Sequence, residues 1–237
     1  MRENERPVRN IPLEPPRCFR RRKERWELDW YDWYKLEHRI CGPNSTYELT
    51  DGVLTVRGHG KLDCGAFCRS PNIRRLEMEE GITEVSDSAF ASCKDLEEIA
   101  LPPGLSVVGD CAFYSCDKLK EAVLPPGVTV IGQGAFAICG ALERVVIPEG
   151  VTVIEQWTFM YCDNLKEVVL PRTLRRIREE AFLACAALKR VELPVGLEEV
   201  GVRAFRRCIG LEEVVAPPHT RIHESAVPSG VLRRREK

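Results

Sequence analysis

The stretch Leu124-Pro125-Pro126-Gly127-Val128-Thr129-Val130-Ile131-Gly132-Gln133-Gly134-Ala135-Phe136-Ala137-Ile138-Cys139-Gly140-Ala141-Leu142-Glu143-Arg144-Val145-Val146 decides the fold, because it is one copy of a unit that recurs along most of the chain. Working outward from Phe136, the same residue stands at Phe67, Phe90, Phe113, Phe159, Phe182 and Phe205, each 23 residues from the next. Cys93, Cys116, Cys139, Cys162, Cys185 and Cys208 follow three residues after six of these, and Leu96, Leu119, Leu142, Leu165, Leu188 and Leu211 three residues later still. Ile73 holds the leucine phase in the first copy, which lacks the cysteine. Self-similarity at a fixed period of this length is the signature of a stacked array.

Each unit reads as local structure. Lys166-Glu167-Val168-Val169-Leu170 alternates polar and apolar, as a short strand does when Val168 and Leu170 face inward and Glu167 and Val169 outward. Pro171 ends it, having no N–H for a ladder. In Pro102-Pro103-Gly104 and Pro125-Pro126-Gly127, proline before glycine suits a type II turn, whose third residue needs positive φ; Thr173 departs from that pattern. Val128-Thr129-Val130-Ile131 is then a second extended stretch with Val128 and Ile131 inward, and Gly132–Phe136 turns back through a short helical or 3₁₀ turn. A 23-residue unit cannot bury its own apolar face, so the copies must stack, with equivalent side chains repeating about every 4.8 Å. After Pro217-Pro218 the pattern returns one residue short, with Val227 where phenylalanine is due.

Composition narrows the class. At 44% apolar and 30% charged residues the chain is neither disordered nor collagenous, and no apolar run approaches the roughly 18 residues of a membrane span. The formal charge of -1 excludes a uniformly cationic surface. Its distribution is uneven: residues 1–25 sum to +5 and residues 231–237 to +3, which leaves -9 between them. The division expected is a basic, disordered tail over 1–25, a Trp-rich capping helix and β-hairpin cap over 26–63, the repeat array over 64–227 and a basic C-terminal tail over 228–237. The start of the chain shows no secretory leader, so export is not expected and a cytoplasmic location is the default.

The unit Leu-x-x-Val-x-Leu-Pro-x-Gly-Val-x-x-Ile-x-x-x-Ala-Phe-x-x-Cys resembles the BspA-like (Treponema-type) leucine-rich repeat, known from bacterial and protist proteins, over residues 64–227. Tyr47–Gly60 resembles the strand pair that often precedes such repeats. The resemblance implies a curved leucine-rich-repeat solenoid, with one short parallel strand and a turn or 3₁₀ segment per unit. It also implies protein–protein binding, often by surface-exposed or secreted relatives.

Sites of chemistry are sparse. The six column cysteines read as small buried hydrophobes, and parallel Cβ vectors make poor disulfides. Cys18, Cys41, Cys64, Cys68 and Cys111 lie outside the column. His59, Cys64 and Cys68 have no usual zinc spacing and lack a fourth ligand. His38, His59, His219 and His223 are scattered, with no nucleophile motif beside them. Gly58-His59-Gly60-Lys61 lacks the closing Lys-Ser or Lys-Thr and following helix of a phosphate loop, and reads as a strand end or bulge. The expectation is no enzyme, no cofactor and no metal.

The strand columns are the candidate surface. Their outward positions give Glu98, Glu121, Arg144, Glu167, Arg190 and Glu213 beside Ala100, Val123, Val146, Val169, Glu192 and Val215. Exposed valines alone suit a pleated strand, whereas a contiguous apolar stripe rimmed by charge marks a binding surface. A second candidate is Trp26, Trp30, Trp33, Leu36 and Ile40, at helical spacing and ended by Gly42-Pro43, as a capping helix or a docking element. The reading is a monomeric protein-binding scaffold that uses the outward strand residues. The alternative is a nucleic-acid or anionic membrane-surface binder that uses the basic termini, including Arg20–Arg25, and the Trp-rich segment.

Overall fold

The structure is a computed structural model and describes residues 40–235; the basic segment 1–25 and the Trp-bearing residues 26–39 lie outside the described residues. Each coil supplies two short parallel strands separated by the proline-containing turn. The first strands are Arg75–Met78, Glu98–Ala100, Glu121–Val123, Arg144–Val146, Glu167–Val169, Arg190–Glu192 and Glu213–Ala216. The second strands are Ile82–Val85, Val107–Val108, Val130–Ile131, Val153–Ile154, Arg176–Ile177, Glu199–Val200 and Arg221–Ile222. Register follows the sequence period: Arg144 pairs with Glu121 and Glu167, and Arg176 with Val153 and Glu199. The last coil pairs one residue short, Glu199 with Arg221, as the sequence around Val227 foretells. The chain is thus a β-solenoid of about seven coils of 23 residues.

The interior is a set of columns. Phe67, Phe90, Phe113, Phe136, Phe159, Phe182 and Phe205 are all buried, and successive rings lie 5.1–5.8 Å apart with planes within 2–16° of parallel. That is offset stacking, worth about 0.5–1.5 kcal/mol per pair beyond area burial. The cysteine column is buried beside it, and each Sγ–H donates to the carbonyl of the phenylalanine 26 residues earlier, over 3.1–3.3 Å. The thiol therefore packs as a small apolar group and also ties each coil to its predecessor. Burial holds the thiols of Cys116, Cys162 and Cys185 well above the ordinary range and pushes Cys139 up to about 12.

The arc that carries each phenylalanine is a run of turns, with no helix among the described residues. Two positions per arc have positive φ: Gly65, Ser88, Cys111, Gly134, Trp157, Glu180 and Arg203 two residues before the phenylalanine, and Arg69, Ser92, Ser115, Ile138, Tyr161, Ala184 and Arg207 two residues after it. Each is the third residue of a turn, as in Ala89 N–H to Ser86 C=O and Cys93 N–H to Phe90 C=O. A positive φ at that place alone marks a type II turn. Only two of these fourteen residues are glycine, although the left-handed region costs other residues on the order of 1–3 kcal/mol. Cross-coil bonds hold the conformation: Ser88, Ser92, Ile138, Tyr161 and Ala184 each donate their N–H to a carbonyl of the next coil, over 2.6–2.8 Å.

This reverses the expectation for the proline turns. Leu105 N–H reaches Pro102 C=O and Val128 N–H reaches Pro125 C=O, so Gly104 and Gly127 do occupy the third position. Neither has positive φ, however, and these turns are not type II. A turn with ordinary φ throughout places no conformational demand for glycine there, and Thr173 is accommodated in a turn closed by Leu174 N–H to Pro171 C=O; Gly127 is held to glycine by the Pro103 and Leu105 carbonyl oxygens that a Cβ would meet. Gly150, with φ of 106°, is a copy that does take the left-handed form.

The ends are closed by different means. Ser45–Thr50 and Val53–Gly58 form an antiparallel hairpin through Asp51-Gly52, both with positive φ as a type I′ turn requires. Its second strand pairs in parallel with Arg75–Met78, and Tyr47 stands edge-on over Phe67 at 5.0 Å and 89°. Gly58 and Gly60 are a strand end and a bulge. Ile40, expected on a helical stripe, instead begins the strand Ile40–Gly42 and pairs with Thr46, because the turn through Pro43 and Asn44 brings these residues back alongside. At the far end, part of the segment read as a basic tail is the strand Leu232–Arg234, parallel to Glu213–Ala216. Among the described residues no helix is long and apolar enough to cross a membrane.

Two measurements check this architecture. Ala181 and Ala184 are both buried in one coil, but only Ala184 has positive φ. Ala184→Gly should therefore be more stable than Ala181→Gly by at least about 1 kcal/mol in urea unfolding, the reverse order refuting the strain. The thiols of Cys116, Cys139, Cys162 and Cys185 keep their protons when folded and lose them above about pH 9 when unfolded. Their contribution is thus intact below that pH and declines as pH rises toward the folded value. Near pH 10.5 the loss is about 2 kcal/mol for Cys139, and Cys139→Ala should show a correspondingly shallower alkaline decline than the parent chain. Identical declines would contradict the buried, protonated column.

Candidate functional site

Outward positions of the first strands are set by the pleat: inward neighbours such as Ala122, Val145 and Val191 are buried, which turns Glu121, Val123, Arg144, Val146, Arg190 and Glu192 to the outside. Val123, Val146 and Val169 lie in direct register on three hydrogen-bonded strands. Val123 is 52% exposed and Val169 is 39% exposed, so this is an open apolar patch rather than an edge of the core. Ala100 continues it beyond Val123. Glu192 interrupts it, and Val215 beyond has Arg233 of the last strand as its register partner.

The charge column beside the patch is largely neutralised from within. Arg144 bridges Glu121 at 2.6 Å and Glu167 at 3.2 Å, and the Glu121 carboxylate holds the guanidinium pKa above its ordinary value. Arg190 pairs with Glu192 at 2.7 Å and Glu213 at 3.1 Å. Arg75 pairs with Glu98 at 3.0 Å and Glu77 at 2.9 Å, extending both columns into the first coil, beyond the positions that the alternation alone picks out. All these groups are close to half exposed, so solvent screens each pair and it adds little to stability. Their larger consequence is that the face presents bound charge beside open valine.

The face is not one continuous sheet. First strands pair in three groups, with seams between Glu98–Ala100 and Glu121–Val123 and between Glu167–Val169 and Arg190–Glu192. Within a group, Ile147 N–H donates to Val169 C=O and Glu213 N–H to Lys189 C=O. The equivalent bonds across the second seam, from Leu170 N–H to Glu192 C=O and from Arg190 N–H to Lys166 C=O, are absent among the described residues. Val168 and Leu170, inward by the pleat, are accordingly only half-buried. A shallow groove of about 580 Å³ opens there, bordered by Val169, Pro194, Val195, Arg172, Arg190 and Arg235.

Elsewhere the chemistry is structural. Among the described residues no three His, Cys, Asp or Glu side chains converge as a metal site would require. Asp87 and Asp110 accept backbone N–H bonds from Asp110 and Gln133 in the following coils at 2.8 Å, and burial holds the Asp110 carboxyl above its ordinary pKa. The basic run at the C-terminus is used internally: Arg234 donates to the carbonyls of Pro217 and Thr220, and Arg235 to that of Leu193.

Comparison with known proteins agrees with this geometry. A family described as the BspA type leucine-rich repeat region, in six copies, matches residues 60–189 and 152–227. Among solved structures, a leucine-rich repeat protein from Bacteroides ovatus is 24% identical, with a TM-score of 0.54 over 76% of this chain and 65% of its own. The chain therefore spans 65% of that protein's length, and the likeness is one of fold. A leucine-rich repeat protein from T. pallidum is 23% identical, with a TM-score of 0.44 over 70% of this chain and 87% of its own. A leucine-rich cell surface protein from Faecalibacterium prausnitzii is 17% identical, with a TM-score of 0.37 over 81% of this chain and 92% of its own. No curated protein matches.

Proposed function

The chain belongs to the BspA-type leucine-rich repeat family, and we propose that it is a non-catalytic scaffold that binds another protein through the outward residues of its first strands. Leucine-rich repeat proteins are in general interaction scaffolds and not enzymes. The observation that carries the reading is the register of Val123, Val146 and Val169 on adjacent bonded strands, the outer two open and Val146 between them half-buried, beside the ion-paired Glu121, Arg144 and Glu167. A single exposed valine is ordinary, whereas an aligned set is a patch that a partner can cover in one piece.

The energetics suit recognition without a cofactor. Covering one valine side chain is worth roughly 1.5 kcal/mol. The flanking ion pairs fix the order of charge that an incoming surface must complement, which favours specificity over raw affinity. The rigid stack beneath holds the strands in place, so little ordering cost falls on the scaffold side.

In affinity capture from the native host, a chain carrying Val146→Lys together with Val169→Lys should unfold in urea at nearly the parent midpoint yet lose the partner that the parent retains. Parent capture should also change little as salt is raised, because phosphate contacts weaken steeply with salt while an apolar patch does not. Undiminished capture by the double variant would refute the assignment.

A further inference from the structure

We propose that the seam between Glu167–Val169 and Arg190–Glu192 receives an extended acidic peptide, which completes the interrupted ladder with its own backbone. This rests on the protein-binding reading above and specifies the chemistry of the partner.

Unmet backbone groups are the first support. Leu170 N–H and Arg190 N–H, with the carbonyls of Lys166 and Glu192, lack across this seam the bonds that their counterparts make in neighbouring coils, where Ile147 donates to Val169 and Glu213 to Lys189. Two short strands facing each other across such a gap present both donors and acceptors, as a sheet edge does when it takes up an extended segment. The ladder is closed on either side of this seam, between 144–146 and 167–169 and between 190–192 and 213–216, and the seam between Glu98–Ala100 and Glu121–Val123 is the other place where it opens.

The walls supply the remaining chemistry. Val195 is 64% exposed and Val169 is 39% exposed, and with the half-buried Leu170 they give apolar contact for alternate side chains of an extended chain. Arg172, Arg190 and Arg235 border the groove against the single carboxylate of Glu192. Arg190 is already engaged by Glu192 and Glu213, whereas the exposed Arg172, whose backbone N–H binds the Glu149 carboxylate and whose charge helps to lower that carboxylate's pKa, makes no side-chain ion pair within 4 Å among the described residues. The surplus of positive charge selects Asp or Glu at the positions between the apolar ones, and charge-assisted bonds from arginine to carboxylate are the stronger kind.

The probe is a dye-labelled, end-capped synthetic peptide of alternating Glu and Val, eight residues long, titrated into the full chain and followed by fluorescence anisotropy. Its lysine-for-glutamate counterpart serves as the control. The acidic peptide should bind and the basic one should not; Arg172→Glu and Val195→Asp should each weaken the acidic peptide about tenfold or more, while Arg206→Glu on the opposite arc leaves it unchanged. Amide exchange at Leu170 and Arg190 should be fast in the free chain and slow with the acidic peptide bound. No binding of the acidic peptide, equal binding of both peptides, indifference to Arg172→Glu, or Leu170 protection in the free chain equal to that of Ile147 would each overturn the seam. Val146→Lys lies outside the groove and separates the two readings: if it abolishes capture of the natural partner while Arg172→Glu does not, the valine face stands and the seam falls.

Discussion

A coil of this protein is too small to be stable by itself, and everything else follows from the way one coil supports the next. The support is concentrated in the arc around each phenylalanine. There the rings stack 5.1–5.8 Å apart, the cysteine of one coil donates to the phenylalanine carbonyl of the coil before, and backbone N–H groups reach forward to the coil after. These three sets of contacts tolerate a backbone that isolated peptides avoid, with Trp157, Ile138 and Tyr161 among the residues held at positive φ. Strain of this kind persists only where neighbours over-determine the geometry, and here the neighbours are copies of the same arc.

Because the arcs carry the cohesion, the first strands are released from part of it. They are only three or four residues long, their ladder is broken at two seams, and their outward side chains are free to vary from coil to coil. Charge on this face is settled locally by Arg75, Arg144 and Arg190, each flanked by carboxylates, which leaves the valine register and the open seam as its distinguishing features. Division of labour between a uniform arc and a variable face is a general property of repeat architectures, and it lets the face proposed for binding vary on a rigid support.

Much of this is written in the sequence. The period, the inward pairing of Val128 with Ile131, the shortened last unit at Val227 and the bulge at Gly58–Gly60 all follow from spacing and turn chemistry. The left-handed columns do not, because the usual signal for positive φ is glycine, and only Gly65 and Gly134 give it among the fourteen positions. The same expectation does not hold at Gly104 and Gly127, neither of which has positive φ; Gly127 is required instead by close approach, since a Cβ there would meet the Pro103 and Leu105 carbonyl oxygens. On the candidate face, the alternation identified which side chains point outward, but the ion-pair partners at Arg75 and the opening beside Leu170 depend on how adjacent coils settle against each other. The strand at Leu232–Arg234 is obscured by arginines that resemble a solvated tail until the hydrogen bonds of Arg234 to Pro217 and Thr220, and of the following Arg235 to Leu193, are seen.

Cohesion by stacked arcs is tested most directly by urea midpoints across the seven Phe→Ala variants. Removing Phe136 leaves a cavity flanked by rings on both sides and should cost about 3–5 kcal/mol, clearly more than removing Phe205, which has a ring neighbour on one side only. Equal midpoints for all seven would mean that the column does not act as a shared support, and the account would fail.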